Sequence, residues 1–158
     1  MPTRTPIKRH ETLKPLSRDH HHGLLLCWKL RQGMQRNVEP QRMMEYCIDF
    51  HKQHLLPHFA LEEEAIFPIL GNEHELVKRA LAEHRRLTRL FTGNDEPLTR
   101  LSQIEEELEA HIRFEERVLF MAIETAATPT DLDRIERLHG SLDPVHGTTS
   151  KEEDVFWL

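Results

Sequence analysis

The stretch HFALEEEAIFPIL, residues 58–70, has the apolar content of a core-facing helix, yet it carries a histidine and three consecutive glutamates. Residues 111–123, HIRFEERVLFMAI, repeat the pattern: His and Glu four apart, a second Glu, then an apolar pair at the matching offset, Ile66 and Phe67 in the first copy and Leu119 and Phe120 in the second. On an α-helix, residues four apart lie on one face about 6 Å from each other, so His58 with Glu62, and His111 with Glu115, can each aim an imidazole and a carboxylate at one point. A buried unpaired carboxylate is costly, and two of them facing each other repel until one takes up a proton. Cations between them remove both penalties.

Around these two copies, apolar residues recur at intervals of three and four through four long segments punctuated by glycine and proline, which predicts an all-α fold without strands. The first helix is expected from about Leu16 to Gln35, with Leu16, His20, Leu24, Cys27, Leu30 and Met34 facing inward. The second runs from Pro40 to about Ile69 and stops at Gly71; its inner face reads Met43, Cys47, Phe50, His54, His58, Glu62, Ile66 and Ile69. Pro57 removes a backbone hydrogen bond inside it and should bend it just before His58. The third opens at Asn72 as an N-cap, with Glu75 three residues on, and ends near Gly93, turning Val77, Leu81, His84, Leu87 and Phe91 inward. The fourth, Pro97 to about Thr125, turns in Leu101, Ile104, Leu108, His111, Glu115, Val118 and Ala122. A short fifth helix is expected from Pro129 to His139, closed by Gly140, and the closing segment SLDPVHGTTSKEEDVFWL is polar until its aromatic end. Phe156 and Trp157 can dock on the helices or serve a homo-oligomer or a protein partner.

Each of the four helices thus has a histidine on its inner face. DHHHGL in the first and EHRRL in the third both set an acid directly before a histidine, so the first two helices mirror the last two. His20 and His58 would serve one cation, His84 and His111 a second, with Glu62 and Glu115 shared. This resembles the di-metal carboxylate bundles, although His-then-Glu at four differs from their Glu-x-x-His. A lone His-x-x-x-Glu is commonly a solvent-facing pair; two matched copies on apolar faces are not. Glu63 and Glu116 are read as acids behind the ligands or on the surface. His21 and His22 turn roughly 100° and 200° away from the inner face. His54, one turn before His58, is a further candidate for contact, and His51, His74, His139 and His146 are read as solvent or loop residues.

At 158 residues the chain is expected to form one domain, with the helical core over about 13–125 and a C-terminal helix and tail over about 129–158. Its net charge is −6 and its basic residues are scattered among acidic ones, which argues against a nucleic-acid partner. Apolar runs are short and the first residues lack a signal-like segment, so the expectation is a cytoplasmic protein without membrane contact. Cys27 and Cys47 fall inside apolar helical patterns and read as buried thiols. Twelve histidines are many for this length, and histidine is the commonest metal-ligating side chain.

Taken together, RDHHHGLL, HFALEEEAIFPIL, AEHRRL and HIRFEERVLF resemble the hemerythrin-like family, the His-His-Glu cation-binding domains, over most of residues 13–125. The resemblance implies an up-down-up-down four-helix bundle around a non-haem di-iron centre with an oxo or hydroxo bridge, held by His20, His58, Glu62, His84, His111 and Glu115. Family members handle dioxygen, nitric oxide, peroxide or iron itself in transport, storage, sensing or repair. Oxygen carriers have a second histidine four residues before the third-helix ligand, where this chain has Ala80. Four histidines and two glutamates are closer to the bacterial branch associated with repair of iron centres after nitrosative stress and with redox sensing. The expectation is a protein that binds or reacts with a small diatomic or peroxide for sensing, buffering or detoxification. The same ligands would serve an enzyme, a peroxidase or a nitric-oxide-reducing or iron-centre-repair activity, and a third reading is a metal-stabilised interaction module. Nitrogen and oxygen donors without thiolate also accept zinc, manganese or copper, so iron rests on the resemblance.

Overall fold

The spacing of apolar residues at three and four is realised throughout the computed structural model, which describes residues 9–142 and 153–158 and has no strand among them. A 3-10 turn, Glu11–Leu13, leads into α1, Lys14–Gln35, with Pro15 in its first turn, where a missing N–H leaves nothing unpaired. Asn37, at φ 55°, turns the chain out of α1. A second helical rod spans residues 40–69. It consists of α2, Pro40–Phe50, a π turn at His51–Leu55, α3, Leu56–Leu61, a second π turn at Glu62–Ile66 and a closing 3-10 turn at Phe67–Ile69. After Gly71, at φ 92°, the chain enters α4, Glu75–Thr92, then α5, Pro97–Phe114. A third π turn, Glu115–Leu119, joins α5 to α6, Phe120–Ala126, and α7 follows at Pro129–Leu142. Among the described residues no helix is long and apolar enough to cross a membrane.

Two apolar clusters fill the interior. One collects Leu26, Cys27 and Leu30 of α1, Met43, Cys47, Leu55 and Phe59 of the second rod, Leu87 and Phe91 of α4, and Leu101, Ile104, Leu108 and Ile112 of α5. The other collects Leu13, Leu16, Leu61, Ile66, Phe67, Val77, Ala80, Phe114, Leu119, Phe120 and Ile123, with Ile135 of α7 packed in. Along every rod the metal-ligating residue types fall between the two, so a polar slab divides the apolar core. The rods approach closely: a Cβ on Gly23 would lie 2.7 Å from Ile112 Cδ1, so glycine sets the α1–α5 spacing there. Cys27 and Cys47 are free and buried, and burial pushes the Cys27 thiol up to about 12.

The π turns correct the expected register. The regular helix gives way to a wide turn at His51–Leu55, closed by Leu56 N–H to His51 O, which places Pro57 in the first turn of α3 just before His58. The same turn brings His51 inside, its ring 5.1 Å from Phe91, and leaves His54 exposed, the reverse of the expectation. Past Glu115 the periodicity put Val118 and Ala122 inward, but Val118 is 45% exposed, and Leu119 and Ile123 are fully buried. A π turn spends one extra residue, so the inner face advances by one position. The third helix starts later than expected: Gly71 and the next residues form a turn, and His74, not Asn72, caps α4, its side chain accepting from Leu76 N–H at 3.1 Å. α7 runs past Gly140 to Leu142, since one glycine costs a packed helix only about 1 kcal/mol.

The C-terminal end docks on its own chain. Phe156, 2% exposed, enters between α1 and α2, where a Cβ on Gly33 would lie 2.8 Å from its ring. Tyr46 and Trp157 meet its ring edge-on at 5.2 Å each. Lys29 Nζ lies 4.0 Å above the Trp157 ring and donates to Glu153 and Tyr46, while Arg42 grips Asp154 with two nitrogens. His146 lies outside the described residues. Phe156→Ala empties a filled aromatic pocket and should lower unfolding free energy by about 3 kcal/mol, whereas Leu158→Ala, at an exposed side chain, should stay within about 0.5 kcal/mol. Urea unfolding of the two variants checks the difference.

Candidate metal centre

The two copies of the repeat begin their π turns on the same residue, Glu62 in one and Glu115 in the other, and both carboxylates are fully buried. π turns recur at functional sites, because the widened helix re-aims side chains a regular turn would place elsewhere. Four imidazoles surround the carboxylates. His20 Nε2 lies 2.8 Å from Glu115 Oε1 and 3.8 Å from Glu62 Oε2; His58 Nε2 lies 3.4 Å from Glu62 Oε1. His84 Nε2 lies 3.1 Å from Glu62 Oε1 and 3.6 Å from Glu115 Oε2, and His111 Nε2 lies 3.3 Å from Glu115 Oε2. All six expected site residues therefore meet. They divide into two sets, His20, His58, Glu62 and Glu115, and Glu62, His84, His111 and Glu115, each with donor atoms within 4.8 Å of one another.

Every imidazole is held from behind by a carboxylate on its other nitrogen. His20 Nδ1 meets Glu116 at 3.0 Å, His58 Nδ1 meets Asp19 at 3.2 Å, His84 Nδ1 meets Glu63 at 2.8 Å and His111 Nδ1 meets Glu83 at 2.7 Å. The arrangement is cyclic. The acid before the histidine on α1 serves the second rod and the acid before the histidine on α4 serves α5, while the acids after Glu62 and Glu115 serve α4 and α1. The roles of Asp19 and Glu83 were missed in the sequence, although their signal, an acid directly before each of these histidines, was visible. Phe120 stacks on His20 at 5.2 Å and Phe67 meets His84 at 5.3 Å, so the repeated phenylalanine also serves the neighbouring rod.

A carboxylate accepting from Nδ1–H fixes the tautomer, and it leaves each neutral ring with its Nε2 lone pair pointed inward. The slab is then a cage of acceptors facing acceptors. Both oxygens of Glu62, one of Glu115, His84 Nε2 and His111 Nε2 have no hydrogen-bond partner; the 3.1 Å approach of His84 to Glu62 is not aligned as one. Such a set is unstable as it stands and is satisfied by cations, either protons or metal ions. The donor chemistry, imidazole nitrogen and carboxylate oxygen with no thiolate, fits a divalent transition metal at each set.

A cavity of about 460 Å³ reaches the cage from outside, ending on His20, His58 and His111. Ala80, in contrast, is fully buried in the apolar cluster. His21 and His22 are exposed, as expected. His139 is not a solvent residue; it lines the cavity with His22 and His54, because α7 packs back over the second rod.

No family model, curated protein or solved structure matches the chain, so the chemical reading rests on its own residues. Burial opposes charge on the imidazoles, but the carboxylates outweigh it. Glu62 and Asp19 hold His58 up to about 10, Glu115, Glu62 and Glu63 hold His84 up to about 11, and Glu115 and Glu83 hold His111 up to about 9. His20 is raised by Glu115 and Glu116 against the same penalty, and the imidazoles, His111 first, hold Glu115 well below its usual range in spite of burial. The raised histidines stabilise the metal-free fold fully below their unfolded value of about 6.5, and that contribution is lost as pH rises through about 9 to 11. Glu115 acts oppositely, its contribution fading as pH falls below the ordinary carboxylate range. The metal-free protein should therefore lose thermal stability above about pH 9, and metal loading near pH 7.5 should expel the protons of His58, His84 and His111, about three per chain. Calorimetry in buffers of different ionisation enthalpy counts them; fewer than one per ion would mean the cage does not hold its imidazoles protonated.

Proposed function

We propose that this is a non-haem di-iron protein of the hemerythrin-like type that binds or reacts with a small diatomic or peroxide. The observation that carries the reading is the cage itself: two complete nitrogen-and-oxygen donor sets sharing two fully buried carboxylates. The fold expectation gains support from the clusters, since α1 and α4 pass from the second cluster to the first while the second and fourth rods pass from the first to the second, as alternating rods would. Short connections at 36–39, 70–74 and 93–96 agree with an up-down-up-down bundle.

Within this reading, Glu62 and Glu115 span both metal positions, His20 and His58 complete one and His84 and His111 the other. Asp19, Glu63, Glu83 and Glu116 keep each imidazole in the ligating tautomer and fix its plane. Phe59, stacked on His84 at 3.8 Å, and Phe120 on His20 close the cage against bulk water. The cavity admits a small ligand beside His58 and His111. A bound iron pair would supply the redox capacity to hold or reduce dioxygen, nitric oxide or peroxide; zinc or manganese could occupy the same donors without that capacity. The cavity leaves room for a substrate, which keeps a peroxidase or nitric-oxide-reducing activity as the second reading.

The test is stopped-flow absorbance after anaerobically reduced, iron-loaded protein is mixed with nitric oxide or dioxygen. The unmodified protein is expected to hold two irons per chain and to change its spectrum within seconds with at least one of the gases. Glu62→Ala and Glu115→Ala should each lose both ions and the response, whereas His84→Ala should mainly weaken one ion. A fully loaded protein inert to both gases would reduce the centre to a structural metal site.

A further inference from the structure

The cage is almost sealed, with its histidines between 2% and 5% exposed, so a metal ion has to shed its water and travel inward to reach it. The cavity of about 460 Å³ that leads there is bordered by six imidazoles. His20, His58 and His111 belong to the centre; His22, His54 and His139 do not. Those outer three come from different elements, α1, the π turn at His51–Leu55 and α7, so the fold and not a local run of sequence gathers them. Arg18 and Asp19 are the only other ionisable side chains in the lining.

The rings of His22 and His54 lie 6.2 Å apart and within 25° of parallel. Two imidazoles sharing one ion at metal–nitrogen bonds of about 2.0–2.1 Å bring their ring centres roughly 5 to 6 Å apart, so a small side-chain rotation closes this exposed pair on a cation. Deeper in, His139 Nε2 lies 3.9 Å from Asp19 Oδ2, the same oxygen that meets His58 Nδ1 at 3.2 Å. Donors therefore succeed one another from the rim to the cage. A mouth built for an anion would carry lysine or several arginines, and a gas needs no such groups. Neutral imidazole suits a divalent transition metal. Room is not limiting, since the cavity is about fifteen times the roughly 30 Å³ a water occupies.

We propose that His22 and His54 form a capture site for a divalent transition-metal cation at the cavity mouth, from which His139 and Asp19 pass the ion towards His58 and the buried centre. The passage rests on the di-metal reading above; the capture site does not.

Cobalt(II) serves as the probe, with metal analysis after gel filtration and stopped-flow absorbance for loading of the metal-free full chain. The unmodified protein is expected to take three ions, one of them removed by a brief chelator wash. His22→Ala with His54→Ala should take only the two retained ions and load them at least tenfold more slowly, and His139→Ala should keep three ions but load more slowly. His21→Ala, at an exposed histidine outside the cavity lining, should change neither quantity. All four side chains lie outside the core, and thermal unfolding of the metal-free variants checks that they fold. A double variant that still takes three ions, or one that loads its two at the unmodified rate, would overturn the proposal. One labile ion lost in the double variant, with no retained pair in any protein, would uphold the capture site and remove the di-metal reading. Two retained ions, no labile one and unchanged loading would do the reverse.

Discussion

Glu62 and Glu115 are fully buried, and three of their four carboxylate oxygens lack a hydrogen-bond partner. Breaking or leaving unpaired a charge of that kind costs several kcal/mol, so the surroundings have to supply positive charge. They do it with four imidazoles, each backed by its own outer carboxylate. Burial opposes charge on these rings, but the carboxylates hold His58, His84 and His111 protonated, and cations bound in the cage would take the place of those protons.

The geometry depends on the repeat as much as on the charges. Each outer acid serves a neighbouring rod and not its own, so no rod can assemble its part of the cage alone, and the polar slab ties all four together between two apolar clusters. The π turns at Glu62 and Glu115 fall at matching places in the two halves, as do the phenylalanines that cover His84 and His20. The two halves then diverge. The cavity opens on the His20, His58 and His111 side, while Ala80 and the wall near His84 are packed with apolar side chains. Three of the four cage imidazoles, from both donor sets, therefore border the passage, and among the four His84 alone lies away from it.

Most of this was legible in the sequence for a simple reason: an amphipathic helix announces its inner face, and histidine or glutamate on that face is conspicuous against leucine. The helices, the six cage residues and their pairing into two sets could all be read from periodicity and from the repeated His-x-x-x-Glu. What could not be read was anything that departs from 3.6 residues per turn. A π turn has no strong composition signal, so Leu119 and Ile123 were displaced from the inner face by Val118 and Ala122, and His51 was exchanged with His54. The acids before His20 and His84 were visible, but which imidazoles Asp19 and Glu83 serve was not, because their partners, His58 and His111, sit on other rods. The docking of Phe156 was open for the same reason, its pocket existing only once Gly33 and Met43 are brought together.

The central claim is that one cage holds two ions, with Glu62 and Glu115 common to both. Anomalous diffraction at the iron edge from crystals of the iron-loaded protein tests it most directly. The account predicts two peaks between Glu62 and Glu115, one against His20 and His58 and the other against His84 and His111. A single peak, or iron bound only away from these two glutamates, would contradict it.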